Sequence, residues 1–293
     1  MGNNKMLVEE RQADIGKFLV GRLLPFRKKR QVGPFTFIDH MGPGQVGPTS
    51  YLDVDQHPHI GLSTLTYLLD GAVEHKDSTG AIQLINAGDV GFMSSGKGVT
   101  HTERTPEHLR DGTSHGIHGY QVWVALPIEQ EEMDPRFDFV AKDQLPNWQE
   151  NGLDLTLVAG SAFGRKSPLP VYSPLFMVDI KANRETCLEI HGQLEGEIAI
   201  VVTQGRVQDE NDTISEGQML ISKTENECVI TLEENSRVLF FGGQPLPEPR
   251  YLFWNFVSSS KERLERAKNE WQEKQFPQVP GDSTYIPLPK PRF

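Results

Sequence analysis

Two short stretches carry residue types that together could hold a metal ion. The first is "DQHPHIG", in which His57 and His59 are separated by one residue. The second is "GKGVTHTER", in which His101 and Glu103 have the same spacing. In a strand, residues i and i+2 project from one face, so each pair would point its two side chains the same way. Pro58 lacks an N–H, which places the first pair at a strand end, edge or bulge. Gly96 and Gly98 precede the second pair and predict a tight turn that delivers the strand into a confined space. Three imidazoles and a carboxylate converging from two strands suit Fe(II), Ni(II), Mn(II) or Cu(II) better than a structural zinc. Four protein ligands on an octahedral ion leave about two positions for water, dioxygen or a chelating substrate. The competing reading is plain: a lone His-x-His is commonly a pair of surface histidines on a strand, and a lone His-x-Glu is weaker still.

The elements that must position these residues are short strands. Runs such as "LSTLTYLL" (62–69), "YQVWVAL" (120–126) and "SRVLFFG" (236–242) are separated by turn residues, supplied by 27 Gly and 20 Pro. That spacing predicts an all-β sandwich or barrel. A weak internal repeat aligns "LTYLLDGAVEHKDSTGAIQLINAGDVGFMSSG" with "IAIVVTQGRVQDENDTISEGQMLISKTEN", with turn glycines at Gly71 and Gly205 and again at Gly88 and Gly217. Two copies of one β unit imply a duplicated barrel. The predicted division is 1–135, 136–249 and a closing segment 250–293, with the boundary in the acidic stretch 127–152. In the last segment, Leu264, Ala267 and Trp271 recur at helical spacing and predict a helix over 261–275, capped by Ser259 and Glu262. The Pro-rich tail "VPGDSTYIPLPKPRF" is expected to run extended over a surface.

Eight of the nine histidines lie between His40 and His118, so a histidine metal site belongs to the first copy; His191 reads as a surface or core residue. The 293 residues carry a net charge of −11, which repels phosphate backbones and argues against direct nucleic-acid binding. The basic run "RKKR", Arg27 to Arg30, reads as a solvated loop, with a contact to a nucleic acid or an acidic partner as the minority reading. No apolar run approaches a membrane span, and the polar N-terminus is unlike a secretory signal. Cys187 and Cys228 form no CxxC, so a reducing cytoplasm is the expected compartment. No Ser-His-Asp triad, phosphate loop or nucleotide fingerprint is visible. A monomer is expected, since no apolar repeat suggests a dimer surface.

Four blocks in order, "FTFIDHMGP", "HPHIGLSTLTYLLDGAVEHKDSTG", "MSSGKGVTHTE" and "HGYQVWVALP", resemble the pirin family of the cupin superfamily. The C-terminal half resembles a degenerate second cupin, and "EPRYLFWNFVSSSKERLERA" resembles the family's closing strand and helix. The resemblance implies two tandem cupin, jelly-roll-like β-barrels with a C-terminal helix. It implies one divalent metal in the N-terminal barrel, Fe(II) foremost and Ni, Mn, Cu or Zn as alternatives, held by His57, His59, His101 and Glu103. Thr102 departs from the family's more usual serine and should point away from the metal. No second metal is expected. His40 is a candidate to support a ligand or line the pocket mouth, with a structural role as the alternative; His115 and His118 are expected to hold strand ends, His118 alternatively orienting a ligand; and Glu74 and His75 are expected in a loop network with Asp77 and Ser78.

Some members resemble quercetin 2,3-dioxygenases, which open a flavonol ring with O2. For this chain the resemblance implies a flavonol-like substrate and Glu103 as the base that takes the hydroxyl proton. A second reading is a redox-sensing regulator that binds a transcription factor or metabolic enzyme, and a third is a metal-bearing protein without turnover.

Overall fold

The computed structural model describes residues 5–15, 18–190, 192–209, 212–222 and 229–290; His191 and Cys228 lie outside them. The chain forms two compact units. One comprises Ala13–Val20, Asp39–Phe139 and Pro247–Phe293, the other Met1–Gln12, Gly21–Ile38 and Val140–Leu246.

In the first unit a four-stranded antiparallel sheet runs in the order Asp53–His59, Val99–Arg104, Ala72–Asp77, Ile82–Asn86. Val90–Ser94, Leu62–Asp70 and His115–Ala125 are neighbours in a second sheet. The second unit repeats this plan. Thr186–Glu189, Val229–Leu232, Arg206–Asp209 and Asp212–Ser215 take the same relative order, and Gln218–Ser222, Glu197–Gln204 and Arg237–Gly243 match the three strands of the other sheet. The turn glycines also match, with φ of +83° and +74° at Gly71 and Gly205, and +88° and +78° at Gly88 and Gly217. The fold is therefore a duplicated β unit, as the repeat implied.

The two interiors differ in chemistry. In the second unit the strand faces supply Leu155, Phe176, Ile200, Ile230, Leu232 and Phe240 to one apolar cluster. Ile230 and Leu232 belong to the strand whose counterpart in the first unit carries His101 and Glu103. Close-packed aliphatics offer an ion no donors.

Asp53–His59 is an edge strand, one of the placements Pro58 allowed. Its free edge is covered by the C-terminal tail: Gln56 N–H donates to Thr284 Oγ1 (3.0 Å), and Gln56 O accepts from Ile286 N (3.0 Å). The Gln56 side chain, fully buried, donates to Gln278 Oε1 and accepts from Val279 N. Covering an edge in this way satisfies groups that would otherwise recruit another strand. Gly96 sits in the turn before the Val99–Arg104 strand, where a Cβ would lie 2.0 Å from Met133 O; only glycine allows that approach.

The helix spans Lys261–Gln272, shorter than the reading of 261–275. Its cap is Ser260, not Ser259: Ser260 Oγ accepts from Arg263 N and donates to Glu262 Oε2. Ser259 instead donates from N and Oγ to Glu131. Leu264, Ala267 and Trp271 form the buried stripe and pack with Ile60, Phe256 and Phe276. Trp271 also donates from Nε1 to Ile286 O (2.9 Å) and stacks on Tyr285. Helix and tail thus brace the segment next to His59. Trp271→Ala should cost about 3–5 kcal/mol by cavity formation, read as a lowered denaturant midpoint; an unchanged midpoint would mean the helix is not part of this core.

The RKKR run is a tight turn closed by the Phe26–Lys29 bridge. Arg27, Lys28 and Arg30 are exposed, and Lys29 pairs with Glu197. No helix among the described residues is long and apolar enough to cross a membrane.

Candidate metal centre

Strand register assembles the site. His101 lies opposite His57 on one side and opposite Asp77 on the other. Glu103 lies opposite His75, and Val99 opposite His59. Directly paired residues of antiparallel strands share a face, so His57, His59, His75, Asp77, His101 and Glu103 all project from one side of the sheet. A bulge between His101 and Glu103 puts one extra residue on the Asp53–His59 strand, which changes how Glu103 stands relative to the two histidines there. The facing sheet contributes Thr66, whose Oγ1 donates to Glu103 Oε1 (3.3 Å), and Trp123, edge-on to His59 at 5.1 Å.

The ligand atoms of His57, His59 and His101 all lie within 4.8 Å of one another. Glu103 belongs to a second, overlapping group with His75 and His101, within the same limit. The four residues named from sequence are thus on one face, but the structure gathers them as two triads that share His101.

All three imidazoles of the first triad are buried. Burial lowers His57 to about 4, against a partly compensating bond to Asp55. Burial, then the neighbouring histidines, holds His101 well below the usual histidine range. His59 is lowered likewise, by burial first and then by His57. The rings are therefore neutral at pH 7, with lone pairs available. His57 Nδ1–H donates to Asp55 O (2.8 Å), which leaves Nε2 bare. His59 Nε2 and His101 Nε2 are 3.1 Å apart. This is a hydrogen-bond distance, and it is also close to the about 3.0 Å between adjacent nitrogens around an octahedral ion bonded at about 2.1 Å. Binding an ion would need little movement of either ring. The donor set fits a divalent first-row metal.

Glu103 is pushed above the usual carboxylate range, chiefly by burial, and opposed by His75, Gln121 and Thr66. Residual exposure is 7% at His57 and 8% at Glu103, against 1% at His59 and 0% at His101. The residual exposure of the group thus falls on His57 and Glu103.

His40 Nε2 meets His118 Nε2 at 2.9 Å, and the His40 ring stacks on Tyr120. His115 bonds Asp111 and Thr113 near its strand end. His75 is not in a loop: it lies on the Ala72–Asp77 strand, 2% exposed, stacked on Phe137 at 4.3 Å. It does bond Asp77 (3.1 Å), as the network reading held, but its other nitrogen faces His101 at 3.4 Å. The sequence signal for this was the alternation in "VEHKD" directly after Gly71, outweighed by the turn residues that follow it.

Residues 17–124 match the Pirin family, and residues 175–277 match the Pirin C-terminal cupin domain. A pirin-like protein of Caulobacter vibrioides is 43% identical over 97% of this chain and 99% of its own length. The crystal structure of a quercetin 2,3-dioxygenase from Acinetobacter baumannii superposes with a TM-score of 0.90 at 33% identity, covering 98% of this chain and 96% of that one. A bacterial pirin from Escherichia coli, solved with nickel(II), shares the fold with a TM-score of 0.62 at 23% identity, covering 83% and 100%.

Proposed function

The chain belongs to the pirin family, and from that premise we propose that it is a metal-dependent dioxygenase of the quercetin 2,3-dioxygenase type. The observation that carries the reading is the buried triad of neutral imidazoles, with Glu103 at its accessible side. His57, His59 and His101 would hold one divalent first-row ion, Fe(II) foremost, and Glu103 would be the fourth ligand. The 33% identity to a quercetin 2,3-dioxygenase over nearly the whole chain supports the reaction class. When bound, the ion supplies Lewis acidity that lowers the pKa of a coordinated hydroxyl.

The chain's own residues supply the rest. The three imidazoles keep their lone pairs inward because burial disfavours protonation. A flavonol enters on the His57 and Glu103 side. Glu103, held by Thr66, takes the proton from the 3-hydroxyl. The electron-rich flavonolate then reacts with O2, both oxygen atoms entering the ring-opened product as carbon monoxide leaves. Trp123 and the buried walls of the barrel keep water scarce around the reacting centre. Glu103 would thus serve both to help hold the ion and to accept the proton.

Glu103→Gln tests that assignment. The variant keeps the shape and the bond from Thr66 but cannot take a proton. Quercetin turnover by the Fe(II)-loaded variant should fall about 10²–10⁴-fold, while the three imidazoles retain metal. Unchanged turnover at unchanged metal content would remove Glu103 as base.

A further inference from the structure

The side chains of His57, His59, His101 and Glu103 share one face of their sheet. Their immediate neighbours in sequence point to the other face, and there the C-terminal tail holds three of them. Gln56, next to His57, donates from Nε2 to Gln278 Oε1 (2.9 Å) and Thr284 O (3.0 Å), and its Oε1 accepts from Val279 N. Thr100, next to His101, donates from Oγ1 to Pro277 O. Arg104, next to Glu103, pairs with Asp282 (2.7 Å) and donates to Thr284 Oγ1 (3.2 Å).

Thr284 joins these contacts. Its hydroxyl accepts from Gln56 N (3.0 Å) and from Arg104, and donates to Asp282 Oδ1. That uses its one hydrogen and both lone pairs. The next two residues are fastened to the helix. Tyr285 stacks on Trp271 and donates to Trp271 O (3.0 Å), and Ile286 O accepts from Trp271 Nε1 (2.9 Å). The tail is thus tied to the helix and to the backs of both strands that carry the metal donors.

Without the tail, Asp53–His59 would be held by one strand alone, Val99–Arg104. An edge strand opens locally, at less cost than unfolding the whole unit. An ion shared by His57, His59 and His101 leaves most easily when these two strands part.

We propose that residues 277–286 are a strap that keeps the Asp53–His59 strand closed against Val99–Arg104 and so sets how fast a bound ion is released. Thr284 and Gln56 are its positioning residues. The proposal rests on the reading of His57, His59 and His101 as the metal donors.

Thr284→Val keeps the shape of the side chain, removes all three of its hydroxyl bonds and leaves the Gln56 N–H unpaired in a fully buried residue. Thr284→Ser restores the hydroxyl. Ile85→Ala is the stability control: Ile85 is fully buried on Ile82–Asn86, the opposite edge of the same sheet.

The experiment measures release of Ni(II) from the full-length protein into excess EDTA, with amide hydrogen exchange at Gln56 and His57 in the apo-protein. Thr284→Val should speed both by about tenfold, as expected for one buried donor left unpaired, and Thr284→Ser should return both to the wild-type rates. Ile85→Ala should lower the urea midpoint and leave Ni(II) release unchanged. Should Thr284→Val fail to fold, Asp282→Ala frees Arg104 from the tail and should act in the same direction. Wild-type release and exchange in Thr284→Val overturn the proposal. So does an Ile85→Ala protein that releases Ni(II) as fast as Thr284→Val, since the tail would then contribute only general stability. If wild type binds no Ni(II), the metal reading fails and exchange alone decides the strap: faster exchange in Thr284→Val, restored by Thr284→Ser, supports it, and unchanged exchange overturns it.

Discussion

A His57→Ala, His101→Ala variant should be purified without metal, where the wild type holds about one ion per chain. The two changes remove two of three nitrogens that lie within 4.8 Å of one another. The effect should exceed the about 10–100-fold loss typical of partners that only orient a ligand, because the donors themselves are gone. His59 and Glu103 remain, and one imidazole with one carboxylate cannot enclose an ion in this barrel. The fold should survive. The two rings are neutral and buried on adjacent strands, the outer of which is held at its edge by the Gln56 bonds to the tail, so alanine opens space without stranding a charge. Elemental analysis with a thermal melt checks both points. Metal retained at the wild-type level would show that the ion sits elsewhere.

The second large effect is acid lability of the apo-protein. His57 is lowered from 6.5 to about 4 in the folded state. Above pH 6.5 neither folded nor unfolded chain binds a proton at this ring, and stability is unaffected. Between 6.5 and about 4 the unfolded chain binds a proton that the folded chain refuses, so stability falls as pH falls. For His57 alone the loss approaches about 3 kcal/mol at pH 4. His59 and His101 are lowered in the same direction and add to it. Asp77, held below its ordinary range, adds a further loss at lower pH. Glu103 runs the other way: its raised pKa means the folded chain takes up a proton early, which offsets part of the loss. Urea unfolding at pH 7.5 and pH 5 should show a markedly lower midpoint at pH 5. A bound divalent ion should raise the midpoint at both pH values, since it binds the folded state alone. A midpoint independent of pH over this window would mean that the rings are not buried as described.

Much of the site was legible because strand geometry is local. The i, i+2 spacing of His57 with His59 and of His101 with Glu103 fixes a shared direction in any strand, and Pro58 limited the first pair to a strand end, edge or bulge. What spacing cannot give is register, which depends on the partner strand. Register sets His75 against Glu103 and Asp77 against His101, and it makes Glu103 a neighbour of His75. The turn-forming "DSTG" drew the reading of His75 towards a loop, although the strand runs through Asp77.

The duplication was visible in the turn glycines, because positive φ has a strong residue preference. The assignment of Met1–Gln12 and Gly21–Ile38 to the same compact unit as Val140–Leu246 had no such signal. Lys5–Glu9 pairs with Gln218–Ser222, a partner over two hundred residues away that alternation cannot name. The helix end was misread for a local reason. Lys274 takes φ of +56°, and a lysine there lacks the glycine that usually announces a stop.

The most direct test of the central claim is anaerobic loading with Fe(II), followed by admission of O2 and quercetin with oxygen uptake and carbon monoxide release measured together. The account predicts that both occur in equal amounts, in proportion to bound iron, and that both vanish in the His57→Ala, His101→Ala variant. Protein that holds iron on these residues yet consumes no oxygen and releases no carbon monoxide would contradict it, and would turn attention to a redox-sensing role with a protein partner.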